Sequence, residues 1–282
     1  MPRSTGVTRT HVRVVDAGVA RRHTVGVATE EPLEIRVRRG AHATALAVTM
    51  RTPGADHELA VGFLLAEGIV SNARDVLAVG HCVDGDTDPE QALNVVSVEL
   101  ADGVVVDLGP LARRFAVSSA CGVCGKASLD QLELRGVRPV PPGPTLALET
   151  LYGLPDRLRW HQRLFDATGG LHAAGLFDAA GTLVVAREDV GRHNAVDKVL
   201  GWATLNGCLP LHDHVVLVSG RSSFEIVQKC LVAGVPMVCS VSAPSSLAVD
   251  VARRFGMTLV GFLRGRTLNV YTGVERVRLG PA

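Results

Sequence analysis

The stretch His214-Val215-Val216-Leu217-Val218-Ser219-Gly220-Arg221-Ser222-Ser223-Phe224 joins a short apolar run to a Ser- and Gly-rich turn and then to the start of a helical pattern. An apolar run this short, rich in β-branched residues and bounded by turn signals, predicts a strand buried on both faces. Related patterns follow. Met237 to Val241 runs into Ser242-Ala243-Pro244-Ser245-Ser246, and Thr258 to Leu263 runs into Arg264-Gly265-Arg266-Thr267. Between these strands lie stretches of helical length, Phe224 to Ala233 and Leu247 to Phe255. The alternation predicts βαβ units with parallel strands and helices over both faces of the sheet.

Upstream of that block, Arg192 to about Thr204 reads as a helix with Val196, Val199, Leu200 and Ala203 on one face. His172 to Asp178 and Thr182 to Arg187 flank Ala179-Ala180-Gly181 as an antiparallel pair, and Leu151 to Thr168 reads as one helix that Gly169-Gly170 ends. The order helix, hairpin, helix, strand, helix, strand, helix, strand resembles the cytidine-deaminase fold. Pro139 to Pro144, the only Pro-dense segment, marks a boundary. Before it come strands at Leu33 to Val37 and Thr44 to Met50, then a helix capped by Asp56 and ended by Gly68. A hairpin of Asn94 to Leu100 with Val104 to Leu108 and a short helix near Leu129 to Leu134 follow. Residues 1 to about 30 show no clear period and predict a frayed start. The expectation is an α/β protein: a smaller α+β N-terminal domain over residues 1–138, ending in a Cys-x-x-Cys loop and a short helix, and a cytidine-deaminase-like three-layer domain with a mixed sheet over 139–282.

With 47% apolar and 20% charged residues, a chain of 282 residues can build substantial cores. A net charge of +1 gives no overall drive toward nucleic acid or anionic membrane. No apolar run is long enough to span a bilayer, and Met1 to Ala20 lacks the apolar centre of a secretory signal. A cytoplasmic protein with neither nucleic-acid nor membrane partner is expected. The six cysteines form no spaced disulfide framework, and Cys208, Cys230 and Cys239 fit helix or strand positions as packed apolar groups. Lysine occurs only at Lys126, Lys198 and Lys229 in a chain that otherwise uses arginine, which marks places where a compact ammonium could be required.

Two kinds of stretch could carry chemistry. The first is the set of strand-to-helix junctions: Arg187 to Asn194, which includes His193, then Ser219-Gly220-Arg221-Ser222-Ser223, then Ser240 to Ser246. In a parallel sheet these gather at the carboxyl edge, where free N–H groups and helix dipoles favour anions. Any one of them alone is ordinary N-capping; three together point to a ligand cleft. Phe262-Leu263-Arg264-Gly265-Arg266-Thr267 would add an aromatic face and two guanidinium groups, suited to a base and a diphosphate, or would simply be a solvated turn. Zinc deamination needs a His-x-Glu and a Pro-Cys-x-x-Cys at such junctions, and Arg192-His193-Asn194 and Arg221-Ser222-Ser223 supply neither. His193 reads as a hydrogen-bonding residue of the cleft, and no resident metal is expected.

The second stretch is Ser118-Ser119-Ala120-Cys121-Gly122-Val123-Cys124-Gly125-Lys126. As half of a structural zinc site Cys121 and Cys124 lack a second paired set of ligands, since His81 and Cys82 do not have the spacing. As a dithiol oxidoreductase they lack the strand-to-helix setting that lowers a thiol pKa. As a sulfur carrier, one thiolate takes the outer sulfur of a donor persulfide and holds it for an acceptor while the neighbouring thiol assists. Lys126 and Arg113-Arg114 would favour the thiolate. Two plain structural thiols are the remaining reading.

Taken with Met50 to Leu64, Thr168 to His172, Arg187 to Lys198, Ser219-Gly220-Arg221, Ser242 to Ala248 and Gly261-Phe262, the Cys loop makes an ordered set that closely resembles the formate dehydrogenase accessory sulfurtransferases, the FdhD family, over nearly the whole chain. The resemblance implies a sulfurtransferase that receives sulfur from a cysteine desulfurase. It implies transfer of that sulfur to the molybdenum (or tungsten) bis(molybdopterin guanine dinucleotide) cofactor, required by the formate dehydrogenase catalytic subunit. Cys121 matches the persulfide-forming position with Cys124 as its partner, and Phe262 to Thr267 match the cofactor-binding segment. A homodimer is implied as well. Ala120 departs from the small polar residue expected before the first Cys. The alternative is a cofactor-binding chaperone for formate dehydrogenase that moves no sulfur.

Overall fold

The computed structural model describes residues 5–40, 42–81, 93–106, 132 and 136–280. Strands β1 (Val7–Asp16) and β2 (Val19–Ala28) pair antiparallel along their full length as a separate two-stranded sheet. The frayed start expected from the sequence is therefore ordered as strand. The signal was the turn Ala17-Gly18, whose φ values of 45° and 84° are both positive, as a two-residue hairpin loop requires. Arg and Thr on both faces of the two strands hide the alternation that would announce it.

A four-stranded sheet follows, in the order β4-β3-β6-β5, from β3 (Glu31–Arg39), β4 (His42–Arg51), β5 (Val76–His81) and β6 (Val95–Leu100). Helix α1 (Asp56–Ala66) leaves β4 through a turn in which Ala55 is left-handed. Asp56 is thus the first helical residue and caps nothing. The expected second strand at Val104 does not form among the described residues; β6 pairs instead with β3, parallel, and with β5, antiparallel. The stretch Leu129 to Leu134 and the Cys121–Cys124 loop lie outside the described residues, apart from Leu132.

The second half opens with β7 (Leu146–Ala147) and α2 (Leu148–Arg159), then α3 (Arg163–Thr168), β8 (His172–Phe177), β9 (Leu183–Asp189) and α4 (Arg192–Leu205). It continues with β10 (Val215–Val218), α5 (Phe224–Val232), β11 (Met237–Ser240), α6 (Ser246–Arg254), β12 (Thr258–Arg264), β13 (Thr267–Thr272) and β14 (Val277–Arg278). One mixed sheet runs β13-β12-β11-β10-β8-β9, with β10, β11 and β12 parallel and β8–β9 antiparallel as expected. The single helix expected over Leu151 to Thr168 is two. Gln162 leaves the helical conformation, and the Glu188 carboxylate accepts from the N–H groups of Leu164 and Phe165 at 2.9 and 2.8 Å, which lets a new helix begin. Strand β13 occupies the segment expected to be a turn and its aftermath.

Apolar side chains cover both faces of this sheet. Leu151, Leu154 and Leu158 of α2 close one face over Phe177, Leu217, Cys239 and Leu263. The other face packs against α4, α5 and α6, and the same apolar cluster continues through α1 into Leu33, Ile35, Val96 and Val98 of the four-stranded sheet. Helices α1 and α4 approach so closely that a Cβ on Gly62 would sit 1.8 Å from the Asp197 carbonyl oxygen, and one on Gly201 would sit 1.8 Å from that of Glu58. Two side-chain-free positions facing each other bring the first half of the chain onto the second.

Candidate functional site

Because β9, β10, β11 and β12 run the same way, their carboxyl ends share one edge of the sheet. Hydrogen bonds join the turns that follow them into a row. His193 Nε2 lies 3.1 Å from Ser223 Oγ, tying the first turn to the second. Ser245 N donates to the Ser222 carbonyl at 3.0 Å, and Ser222 bridges Pro244, tying the second to the third. Phe262 N donates to the Ser242 carbonyl at 3.1 Å and Arg264 Nε to that of Val241 at 2.7 Å, bringing in the fourth. Ser219 is held by β8, its hydroxyl accepting from Ala173 N at 2.9 Å. Gly220 lies beside the His172 ring, with room at its Cβ position for little more than contact at 3.3 Å, and Arg221 is exposed.

Within Phe262 to Thr267 the side chains diverge. Phe262 is 38% exposed, in a β-bulge of β12 at φ 52°, a conformation that costs a bulky residue about 1–3 kcal/mol. The Arg264 guanidinium lies 5.8 Å from its ring centroid. Leu263 is fully buried in the core against α2. Gly265 makes the turn, Thr267 Oγ1 donates back to the Arg264 carbonyl at 3.1 Å, and Arg266 is paired with Glu149 and lies over Tyr152 of α2. Of this segment only Phe262 and Arg264 belong to the row.

The row contains polar atoms with nothing to bond. Ser222 is fully buried and its Oγ has no partner among the described residues, and Arg192 Nε is likewise buried and unpartnered among them. Such groups cost about 1–3 kcal/mol each unless a ligand or water satisfies them. Burial, reinforced by the Arg192 charge, lowers the His193 pKa to about 4, so the imidazole is neutral at pH 7. Burial and Arg192 lower His172 too. For Glu225 burial acts upward, but the hydrogen bond from Ser223 and the nearby His193 and Arg192 outweigh it, and the carboxyl pKa is lowered. Arg192 and Ser222 lie in the junctions read from the sequence but had no individual role there, and His172 stood outside them; its position beside Gly220 is visible only in the fold.

Behind the row lies a buried polar knot. Asp189, fully buried, accepts from Lys198 Nζ at 2.7 Å, from Thr52 N at 3.2 Å, from Gly191 N at 2.8 Å and from Asn194 Nδ2 at 3.1 Å. Lys198, 1% exposed, donates also to the carbonyls of Thr52 and Glu188 at 2.8 and 3.2 Å. Asn194 Nδ2 reaches the Met50 carbonyl at 2.8 Å, and Arg51 grips Asp56 through two nitrogens at 3.2 and 3.1 Å. The segment 50–56 of the first half is thereby fastened to the turn that presents His193. Lys229 sits apart, bonded to Asp197 at 2.7 Å, so the two described lysines serve separate aspartates. Among the described residues no cluster of three or more His, Cys, Asp or Glu could hold a metal, and no helix is long and apolar enough to cross a membrane.

Comparison with known proteins places this architecture. The chain is 50% identical over 96% of its length, and 95% of the relative's, to a protein of Streptomyces coelicolor named sulfur carrier protein FdhD. It is 51% identical over 89% of its length, and 91% of the relative's, to the Mycobacterium tuberculosis protein of that name. Among solved structures, a protein from Desulfotalea psychrophila described as a candidate formate dehydrogenase accessory protein superposes with a TM-score of 0.75 at 26% identity, covering 96% of this chain and 99% of that one. Residues 28–278 match the FdhD/NarQ family, and the chain belongs to it.

Proposed function

We propose that this protein is a sulfur carrier. Cys121, as thiolate, attacks the outer sulfur of a persulfide on a cysteine desulfurase; a sulfur–sulfur bond forms to Cys121 and the donor cysteine leaves as thiolate. An electron-rich acceptor centre then bonds to that outer sulfur and supplies the two electrons that make it sulfide as the sulfur–sulfur bond breaks, so Cys121 returns as thiolate; Cys124, three positions on, would clear a stalled persulfide by attacking the Cys121 sulfur, forming a disulfide and releasing hydrosulfide. The acceptor in this reading is the bis(molybdopterin guanine dinucleotide) cofactor of molybdenum, bound as cargo and destined for formate dehydrogenase. The fold reading goes with it: strands β9-β8-β10-β11-β12 follow the order second, first, third, fourth, fifth, consistent with a cytidine-deaminase-like domain.

The row at the carboxyl edge suits such a cargo. Neutral His193, Arg192 Nε and Ser222 Oγ present hydrogen-bonding atoms without local partners or with one only, as a diphosphate would use. The Phe262 ring offers a face for a guanine. The observation that carries the reading is that this row stands in a chain half identical, over nearly its full length, to proteins named sulfur carriers. The test is loading. Incubation with a cysteine desulfurase and cysteine should add one sulfane sulfur that mass spectrometry finds on Cys121, and a Cys121→Ala protein should take up none. Undiminished loading of that variant sinks the assignment.

A further inference from the structure

The hairpin of β1 and β2 is an odd thing for a chain of net charge +1 to carry. Along its strands Arg9, Arg13, Arg21 and Arg22 are accompanied by a single acidic side chain, Asp16. Register sets Arg13 directly opposite Arg22, so both point to one face, and Arg9 lies on that same face. Like charges directly opposite on neighbouring strands destabilise the pair. Among the described residues none of these arginines has a carboxylate partner. Near the hairpin foot α3 covers this face, with the Ala167 carbonyl oxygen 2.7 Å from where a Gly26 Cβ would lie, and beyond that the face is open among the described residues. The opposite face carries Val14, Val19 and Val27, which are 42%, 56% and 39% exposed, and Val15 near the tip is 67% exposed. Two strands covered only at their foot are marginal in water. Folding alone accounts for neither the paired arginines nor the open valines.

The foot of the hairpin places its partner. Gly6 packs on Leu164 and Thr52, whose backbones bond Glu188 and Asp189, and Ala28 meets Gly170 two residues before His172. The foot of the hairpin thus stands beside the row of turns. We infer that the β1–β2 hairpin is a docking arm for an acidic face of the protein that receives the cleft's cargo. This rests on the sulfur-carrier reading, under which that protein is the formate dehydrogenase catalytic subunit. Arginines among exposed apolar residues suit a protein interface. A second copy of this chain docked with the two-fold axis at Arg13 and Arg22 is disfavoured, because it would set these arginines against themselves. Nucleic acid is disfavoured because neither strand carries a Phe, Tyr or Trp to stack on a base.

The experiment measures binding of the full-length protein to the purified, cofactor-free formate dehydrogenase catalytic subunit, at low and high salt, beside persulfide loading by cysteine desulfurase. Wild type should bind, more weakly as salt rises. Arg13→Glu/Arg22→Glu should weaken binding about tenfold or more, and Arg13→Gln/Arg22→Gln by less, with Cys121 loading unchanged and no fall in melting temperature in either. Affinity for the subunit unchanged in the Glu variant, dimerisation lost in it, or tighter binding of a mixed-sequence DNA duplex than of the subunit overturns the docking arm. Absence of loading in wild type defeats the sulfur-carrier reading instead, whatever the hairpin variants do.

Discussion

Lys198 is the buried cation on which the turn before α4 depends. Its ammonium is shared by the Asp189 carboxylate and by carbonyls from two different segments, Thr52 and Glu188, and Lys198 and Asp189 are 1% and 0% exposed. A compact ammonium with three donors fits such a convergence, whereas the planar fork of arginine does not. The rarity of lysine in the sequence pointed at this position without saying what it held. Removing one member of a buried pair leaves the other charged and unsolvated. Lys198→Met should therefore cost roughly 3–5 kcal/mol in urea unfolding, and Lys198→Arg should recover only part of it. A loss below about 1 kcal/mol for the Met variant would mean that Asp189 is solvated or protonated without Lys198.

Helices α1 and α4 meet through glycine rather than through interdigitated side chains. A methyl group at Gly62 or Gly201 would overlap a main-chain carbonyl of the facing helix, and a carbonyl cannot rotate aside as a side chain can. Gly201→Ala and Gly62→Ala should each destabilise by about 1–3 kcal/mol or more in denaturant melts, despite the better helix propensity of alanine. Stabilisation by either would show that the helices sit farther apart. This contact illustrates what sequence reading could not reach. The parallel strands β10 to β12 and the helices between them were legible because short β-branched apolar runs and Ser-rich turns announce them locally. The row of turns was legible for the same reason. Hidden were features settled by distant partners: the break before α3, which Glu188 creates from β9, and β6 choosing β3 over a local hairpin. The β1–β2 hairpin was hidden because its exposed faces need no apolar alternation.

Acid should undo the fold before it undoes the backbone chemistry. His81, His172, His193 and His214 all have pKa values lowered chiefly by burial, His193 to about 4 from 6.5. A histidine of lowered pKa binds its proton more readily when unfolded. The neutral form's contribution is therefore fully present above about pH 6.5 and is lost as pH falls from 6.5 toward 4. The melting temperature should decline through that window, and His193→Gln should flatten the decline; an equally steep slope in the variant would place the lability elsewhere. The same row of turns holds Phe262 in a backbone state that glycine would occupy without strain. A laboratory selection for thermal robustness would thus be drawn to Phe262→Gly, and its winners would have traded away an aromatic face at the rim. At this position a protein improved as a solid would be diminished as an instrument.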